Sequence, residues 1–187
     1  MGLHESERNA HHMTLVYTED PHGYHFDGKR VPSVTQILSG LTDYSKINAQ
    51  QLAQAQEKGR HVHKMIELWA RNNLDADHLP DWMLPIYNKW LQFVDESGFN
   101  LVASEKQVYH RSLRYAGTLD LRCTIRRFGD AHGIIDVKRS FLAGPAIGLQ
   151  LAGYVLAENQ DPKQPKVKWC AALKLNEKGP ARLEFFD

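Results

Sequence analysis

Cysteine is scarce in this sequence: only Cys123 and Cys170 occur, both flanked by strand-like residues. Two thiols with no C-x-x-C pair or four-cysteine array supply too few ligands for a structural zinc centre or an iron–sulfur cluster. Free cysteine is commonly a buried apolar side chain, and both are read so here. No apolar run is long enough to span a bilayer, and no signal peptide is visible, which makes a reducing cytoplasm the expected setting. Neither charge sign dominates, the formal net charge being +1. A polyanionic partner must therefore be held by a local patch. Repeats, low-complexity blocks and internal linkers are missing too. So is any G-x-x-x-x-G-K-[ST] loop, which excludes an ATP-driven motor of that type.

What is present suits a globular chain. A hydrophobic fraction of 42% beside a charged fraction of 24% allows a real core. The length favours one domain over residues 1–187. Residues 1–12 are polar and aperiodic, and a flexible tail is expected there, its histidines solvated. "TLVYT" and "YHF" read as strands, and the Asp-Gly pair of "FDGKRV" as a hairpin turn. Ser33 with Gln36 three residues on forms a capping box for a short helix ending at Gly40. The spacing predicts a helix from Ser45 to about Asn72, interrupted near Gly59. Val62, Met65, Ile66 and Trp69 form its apolar stripe. A second helix is predicted between Asp81, as its cap, and Gly98, as its stop. The period then shortens to that of strands, in "LVASEKQVYH", "LRYAGTLDLRCTI", "HGIIDVKRS", "KVKWCAALKL" and "ARLEFF". Between the third and fourth, "PAIGLQLAGYVLAEN" reads as a helix with Pro145 in its first turn. A strand, a helix and a strand in that order predict a parallel crossover.

"GIIDVKRS" ends an apolar strand with an acid and a base two residues apart. Alternation puts Asp136 and Lys138 on one face, with Ile134. "YAGTLDLRC" puts Asp120 on a strand face with Thr118 and Arg122. If the two strands are neighbours, two carboxylates converge, and such a pair needs a shared proton or a cation between them. Hard divalent cations take oxygen ligands of this kind. Lys138 beside the ion could hold or deprotonate a water and counter the charge of an attacked phosphate. On the helix, His63 and Glu67 are four apart and share a face, as do Gln150 and Tyr154 on the later helix. Taken singly, these are the marks of ordinary surface or boundary residues. Their order and spacing together carry the case.

In that order, Gly59/His63/Glu67, Gly117/Asp120, Asp136/Lys138 and Gln150/Tyr154 resemble the PD-(D/E)XK nuclease superfamily, in its RecB-like and phage-exonuclease branch. The matching motifs span roughly residues 59 to 154, and "YHFDGKRVPSVTQIL" resembles the start of small phage-type members. The resemblance implies an α/β, restriction-endonuclease-like core: a mixed central β-sheet flanked by α-helices. It implies an Mg²⁺- or Mn²⁺-dependent deoxyribonuclease, an exonuclease of phage or prophage recombination or DNA repair, in a bacterial host or phage-infected cell. Asp120 and Asp136, with the Val137 carbonyl and His63, would ligate the metal. Lys138 would address the water and phosphate. Gln150 and Tyr154 would support the site and the DNA strand. Glu67 would carry a second ion or orient His63, and Glu105 could also face the site. Two features of relatives are missing: the proline before Asp120, where Leu119 stands, and the four-cysteine cluster.

A path for DNA needs cations. Arg60 and Lys64 lie on the His63 helix beside Lys58. Arg114 precedes the Asp120 strand, Arg139 follows Lys138, and Arg126 and Arg127 occupy the next turn. Trp69, Trp82 and Trp90 are read as core rather than as base-stacking platforms. Beyond DNA, a recombination or single-strand-annealing protein is a plausible helper, and no membrane is involved. Oligomeric state, digestion polarity, strand preference and the number of metals are not legible. Two other readings use the same residues: a DNA-binding module on a retired nuclease fold, and a metal-dependent hydrolase of another substrate. A retired site commonly loses its Lys or one Asp, and here all remain.

Overall fold

The computed structural model describes residues 14–19, 23–41, 47–139 and 145–187. The tail expected at 1–12 lies outside them, as do Ser45 and Ser140. Strands β1 (Leu15–Thr18), β2 (Gly23–Phe26) and β3 (Lys29–Val31) form a small antiparallel sheet. Asp27 and Gly28 both take positive φ, 50° and 73°, in the turn between β2 and β3. That is the backbone an Asp-Gly hairpin turn requires. Helix α1 (Val34–Ile37) carries the expected capping box, Ser33 and Gln36 each bonding the other's backbone amide.

Helix α2 (Ala49–Ala70) begins at Asn48, whose side chain accepts from the amides of Gln50 and Gln51. The expected break near Gly59 does not occur. One glycine costs a helix only about 1 kcal/mol, and the buried stripe of Val62, Met65 and Ile66 anchors the turns that follow. Helix α3 (Leu84–Ser97) starts later than expected. Met83, not Asp81, stands at its N-cap, because Pro85 sits in its first turn and has no amide to be capped. Gly98 stops it with φ 61°.

The main sheet has five strands: β4 (Asn100–His110), β5 (Tyr115–Thr124), β6 (His132–Lys138), β7 (Val167–Lys174) and β8 (Arg182–Phe186). They lie in chain order, and the sheet is mixed. β6 and β7 run parallel, joined through helix α4 (Ala146–Glu158), and the remaining pairs are antiparallel. Alternation along β6 then divides the core. Ile135 and Val137 pack with Val62, Ile86 and Trp90 of α2 and α3. Ile134 packs with Leu151 and Tyr154 of α4 and Val34 of α1. Trp90 is wholly buried and meets Trp69 edge-on at 5.1 Å, so both serve the core as read. Cys123 and Cys170 are buried free thiols, and burial pushes the Cys123 thiol up to about 12. No helix among the described residues is long and apolar enough to cross a membrane.

A candidate metal and phosphate site

The site opens where the sheet stops pairing. β5 and β6 are hydrogen-bonded partners at Leu121↔Ile135, Arg122↔Ile134 and Cys123↔Gly133, and the register ends there. Beyond it, Asp120 and Asp136 stand at the parting of the two strands. Strict alternation along β5 fails at this point. Leu119 packs in the core under α4, whereas Leu121 packs in the core under α2 and α3. Asp120 therefore does not share the face of Arg122 as expected. Instead its Oδ2 accepts from the Val137 amide at 2.6 Å. Across on β4, Glu105 has φ 48°, and the β4–β5 register passes from Ser104↔Leu121 to Lys106↔Leu119 around it. A non-glycine residue at positive φ is uncommon, and this distortion sits beside Asp120.

Three side chains come together here. His63, Glu105 and Asp120 each offer a donor atom, all within 4.8 Å of one another. His63 Nδ1 lies 3.4 Å from Asp120 Oδ1. Burial works against the charged imidazole, but the Asp120 carboxylate, by charge and by hydrogen bond, overcomes it and raises His63 to about 9. Burial also works against the Asp120 anion, yet His63, Lys138 and the Val137 amide hold it below the usual carboxylate range. Glu105 is pushed up to about 7, by burial first and then by the charge of Asp120. Glu105, weighed in the sequence as a possible member, is thus nearer the donor group than Asp136. Its signal was weak because nothing in "ASEKQ" marks the positive φ that turns it.

Asp136 is buried, and both of its oxygens are engaged. Oδ1 accepts from Gln150 Nε2 at 3.2 Å, and Oδ2 lies 2.8 Å from Lys138 Nζ. Burial raises it to about 6, with Asp120 adding and Lys138 opposing. Gln150 Nε2 also donates to the Tyr154 hydroxyl at 3.0 Å. The Tyr154 ring lies against β5, and a Cβ on Gly117 would stand 2.6 Å from its Cε1. That close approach is the physical reason for glycine three residues before Asp120. The backbone under Lys138 is tied down from the next turn. Leu175 donates its amide to the Lys138 carbonyl at 2.8 Å, and Asn176 Nδ2 donates to the Arg139 carbonyl at 3.1 Å.

Beside these groups runs a groove of about 1040 Å³, whose wall includes Arg60, His63, Lys64, Glu105, Val137 and Lys138. That is the upper end for a small-molecule pocket. The cations divide into those at the groove and those away from it. Arg60 and Lys64 line it. Arg139 also lines it, with its guanidinium held by Glu177 at 2.7 and 3.0 Å. Glu67 lines it as well, paired with Lys64 at 2.9 Å and Arg71 at 2.8 Å rather than with His63. Arg114 is placed elsewhere, in the β4–β5 turn with φ 54°. Arg126 and Arg127 are at the far end of β5, where Arg127 lies over the rings of Phe128 and Phe185. These three lie near Asp120 and Lys138 in sequence but do not line the groove, since a strand carries its two ends far apart. Glu177 was missed altogether; it reaches Arg139 from the β7–β8 turn, a contact no local pattern announces.

His63, Glu105 and Asp120 are types of side chain that can ligate a divalent cation. Of the two carboxylates, Glu105 is raised by burial first and by the charge of Asp120 second, and a bound cation would favour the ionised form. No protein-family model matches the sequence, and no curated protein matches it either.

Proposed function

We propose that this chain is a divalent-metal-dependent deoxyribonuclease on a restriction-endonuclease-like α/β core, acting in phage or prophage recombination or DNA repair. One observation carries the reading. Residues from four separate elements, read in the sequence as one ordered motif set, touch one another beside one groove: His63 of α2 pairs with Asp120 of β5, Lys138 with Asp136 on β6, and Gln150 of α4 with both Asp136 and Tyr154, with His63, Lys138 and Tyr154 lining the groove itself. A mixed five-stranded sheet flanked by helices is compatible with the core that the resemblance implies.

Asp120, Glu105 and His63 would hold the cation, with Asp136 and the Val137 carbonyl as the further ligands the resemblance implies. When bound, such an ion polarises a phosphate and lowers the pKa of water. The chain's own groups have distinct tasks. Lys138 Nζ, at the groove wall, directs its protons at the attacking water and a phosphate oxygen. Gln150 keeps the Asp136 carboxylate oriented through Oδ1, and Tyr154 keeps Gln150 oriented. Arg60 and Lys64 neutralise phosphates along the groove.

The test is cleavage of end-labelled linear and closed circular DNA in Mg²⁺, Mn²⁺ and EDTA, with Lys138→Ala alongside. Metal-dependent loss of linear DNA alone, absent in the variant, is the result expected of an exonuclease. Loss of both forms identifies an endonuclease. Undiminished cleavage by Lys138→Ala overturns the assignment of that lysine. DNA binding without turnover in either metal overturns the catalytic reading.

A further inference from the structure

Gly59 stands inside the 22-residue helix α2, where glycine is the poorest residue short of proline. Two usual reasons for a glycine do not apply. Its φ is not positive, so the backbone does not call for it. Among the described residues, no atom lies within 4 Å of where its Cβ would be, so packing does not call for it either. Elsewhere in the chain the contrast is plain. A Cβ on Gly117 would meet the Tyr154 ring at 2.6 Å, and one on Gly133 would meet the Trp169 ring at 2.0 Å.

What Gly59 does face is the groove. It lies one turn before His63 on the same side of α2, with Ala55 a turn earlier. Arg60 and Lys64 form the parallel row beside it, and all five residues line the groove. One row of the helix is therefore small and the next is cationic, and the small row ends at His63 of the donor group it forms with Glu105 and Asp120.

We infer that Gly59 is the point of closest approach between α2 and the sugar–phosphate backbone of a DNA strand. The missing side chain lets the strand lie against the helix, so that Arg60 and Lys64 reach its phosphates and its scissile bond meets the metal donors. Gly59 is in this sense a positioning residue for substrate. The inference rests on the nuclease reading above and names the surface that sets how DNA enters.

The experiment compares wild type, Gly59→Ala, Gly59→Leu and a control, Gln54→Leu, on the part of α2 away from the groove. Thermal midpoint, DNA affinity in EDTA, and KM and kcat for linear DNA in Mn²⁺ are measured on each. Alanine and leucine both favour helix over glycine, so the midpoint should rise by about 2–4 °C in Gly59→Ala. KM should rise several-fold in Gly59→Ala and by more than about tenfold in Gly59→Leu, with affinity in EDTA falling in step and kcat little changed. A more stable protein that holds DNA less well is a pairing that a structural role for Gly59 does not produce. Gly59→Leu with wild-type KM overturns the inference alone, provided the wild type cuts DNA. A fall in KM performance equal in Gln54→Leu also overturns it. A wild type that neither binds nor cuts DNA removes the nuclease reading, and this inference with it.

Discussion

His63 Nδ1 and Asp120 Oδ1 lie 3.4 Å apart, and the pair shares charge across the gap between α2 and β5. The imidazole is raised to about 9 from its ordinary 6.5. A group raised on folding stabilises fully below its unfolded pKa, and that contribution is lost as pH rises through the folded value. The metal-free protein should therefore lose thermal stability between about pH 6.5 and pH 9. In His63→Gln the part of that fall above about pH 7 should be much reduced, the raised Glu105 carboxyl still contributing below it. Midpoints measured across that range in EDTA check it, and an unchanged slope in the variant would refute it.

Cation binding should release protons. His63 must be neutral to ligate, and Glu105, raised to about 7, must be ionised. Mn²⁺ affinity should then climb from pH 6 to pH 9. Titration calorimetry in buffers of different ionisation enthalpy should show net proton release at pH 7, reduced in His63→Gln. Glu105→Gln should weaken Mn²⁺ by at least about tenfold, the scale found even for groups one shell further from a metal. Affinity equal to wild type would remove Glu105 from the donor set.

Lys138→Ala should lower kcat by about 10²- to 10⁴-fold, the range for a positioned proton-transfer group. The midpoint should move little at low pH, because the Lys138 side chain is partly exposed and its ion pair is with a carboxyl already raised to about 6. Without the ammonium, Asp136 should rise further. The variant's stability should then fall more steeply than wild type between about pH 4 and neutrality, since an acid raised on folding destabilises as its unfolded counterpart ionises. Parallel rate and melting curves separate the two effects.

Gly117→Ala should destabilise by about 1–3 kcal/mol, the usual cost of forcing volume into a packed site. Its Cβ would stand 2.6 Å from the Tyr154 ring, so the ring must move and release Gln150 from Asp136. Activity should fall with stability. Tyr154→Leu placed on top should recover much of the lost midpoint without recovering the rate.

Much of this arrangement was legible in the sequence. Hairpin chemistry at Asp27–Gly28, the Ser33–Gln36 box and the Gly98 stop are local signals, and local backbone geometry obeys them. The order of strands and helices followed from hydrophobic period together with such turn and stop residues. Where expectation failed, non-local forces decided. Tertiary packing of Val62, Met65 and Ile66 carried α2 through Gly59. Asp120 left the face of Arg122 because the end of the β5–β6 ladder freed a main-chain amide to hold it. Arg122 instead lies buried at the other side of β5, bonding Glu158 of α4 and the Pro165 carbonyl. Glu105 entered the donor group at a positive-φ position of β4, and Arg114, in the β4–β5 turn, does not line the groove.

The amide of Val137 that holds Asp120 belongs to the main chain, and every residue type but proline carries the same N–H. One oxygen of the acid is thus moored to something that substitution at position 137 does not erase, while the other is left to face His63. Inheritance can rewrite the side chains around that mooring, and the carboxylate keeps its berth so long as the two strands continue to part at Leu121 and Ile135.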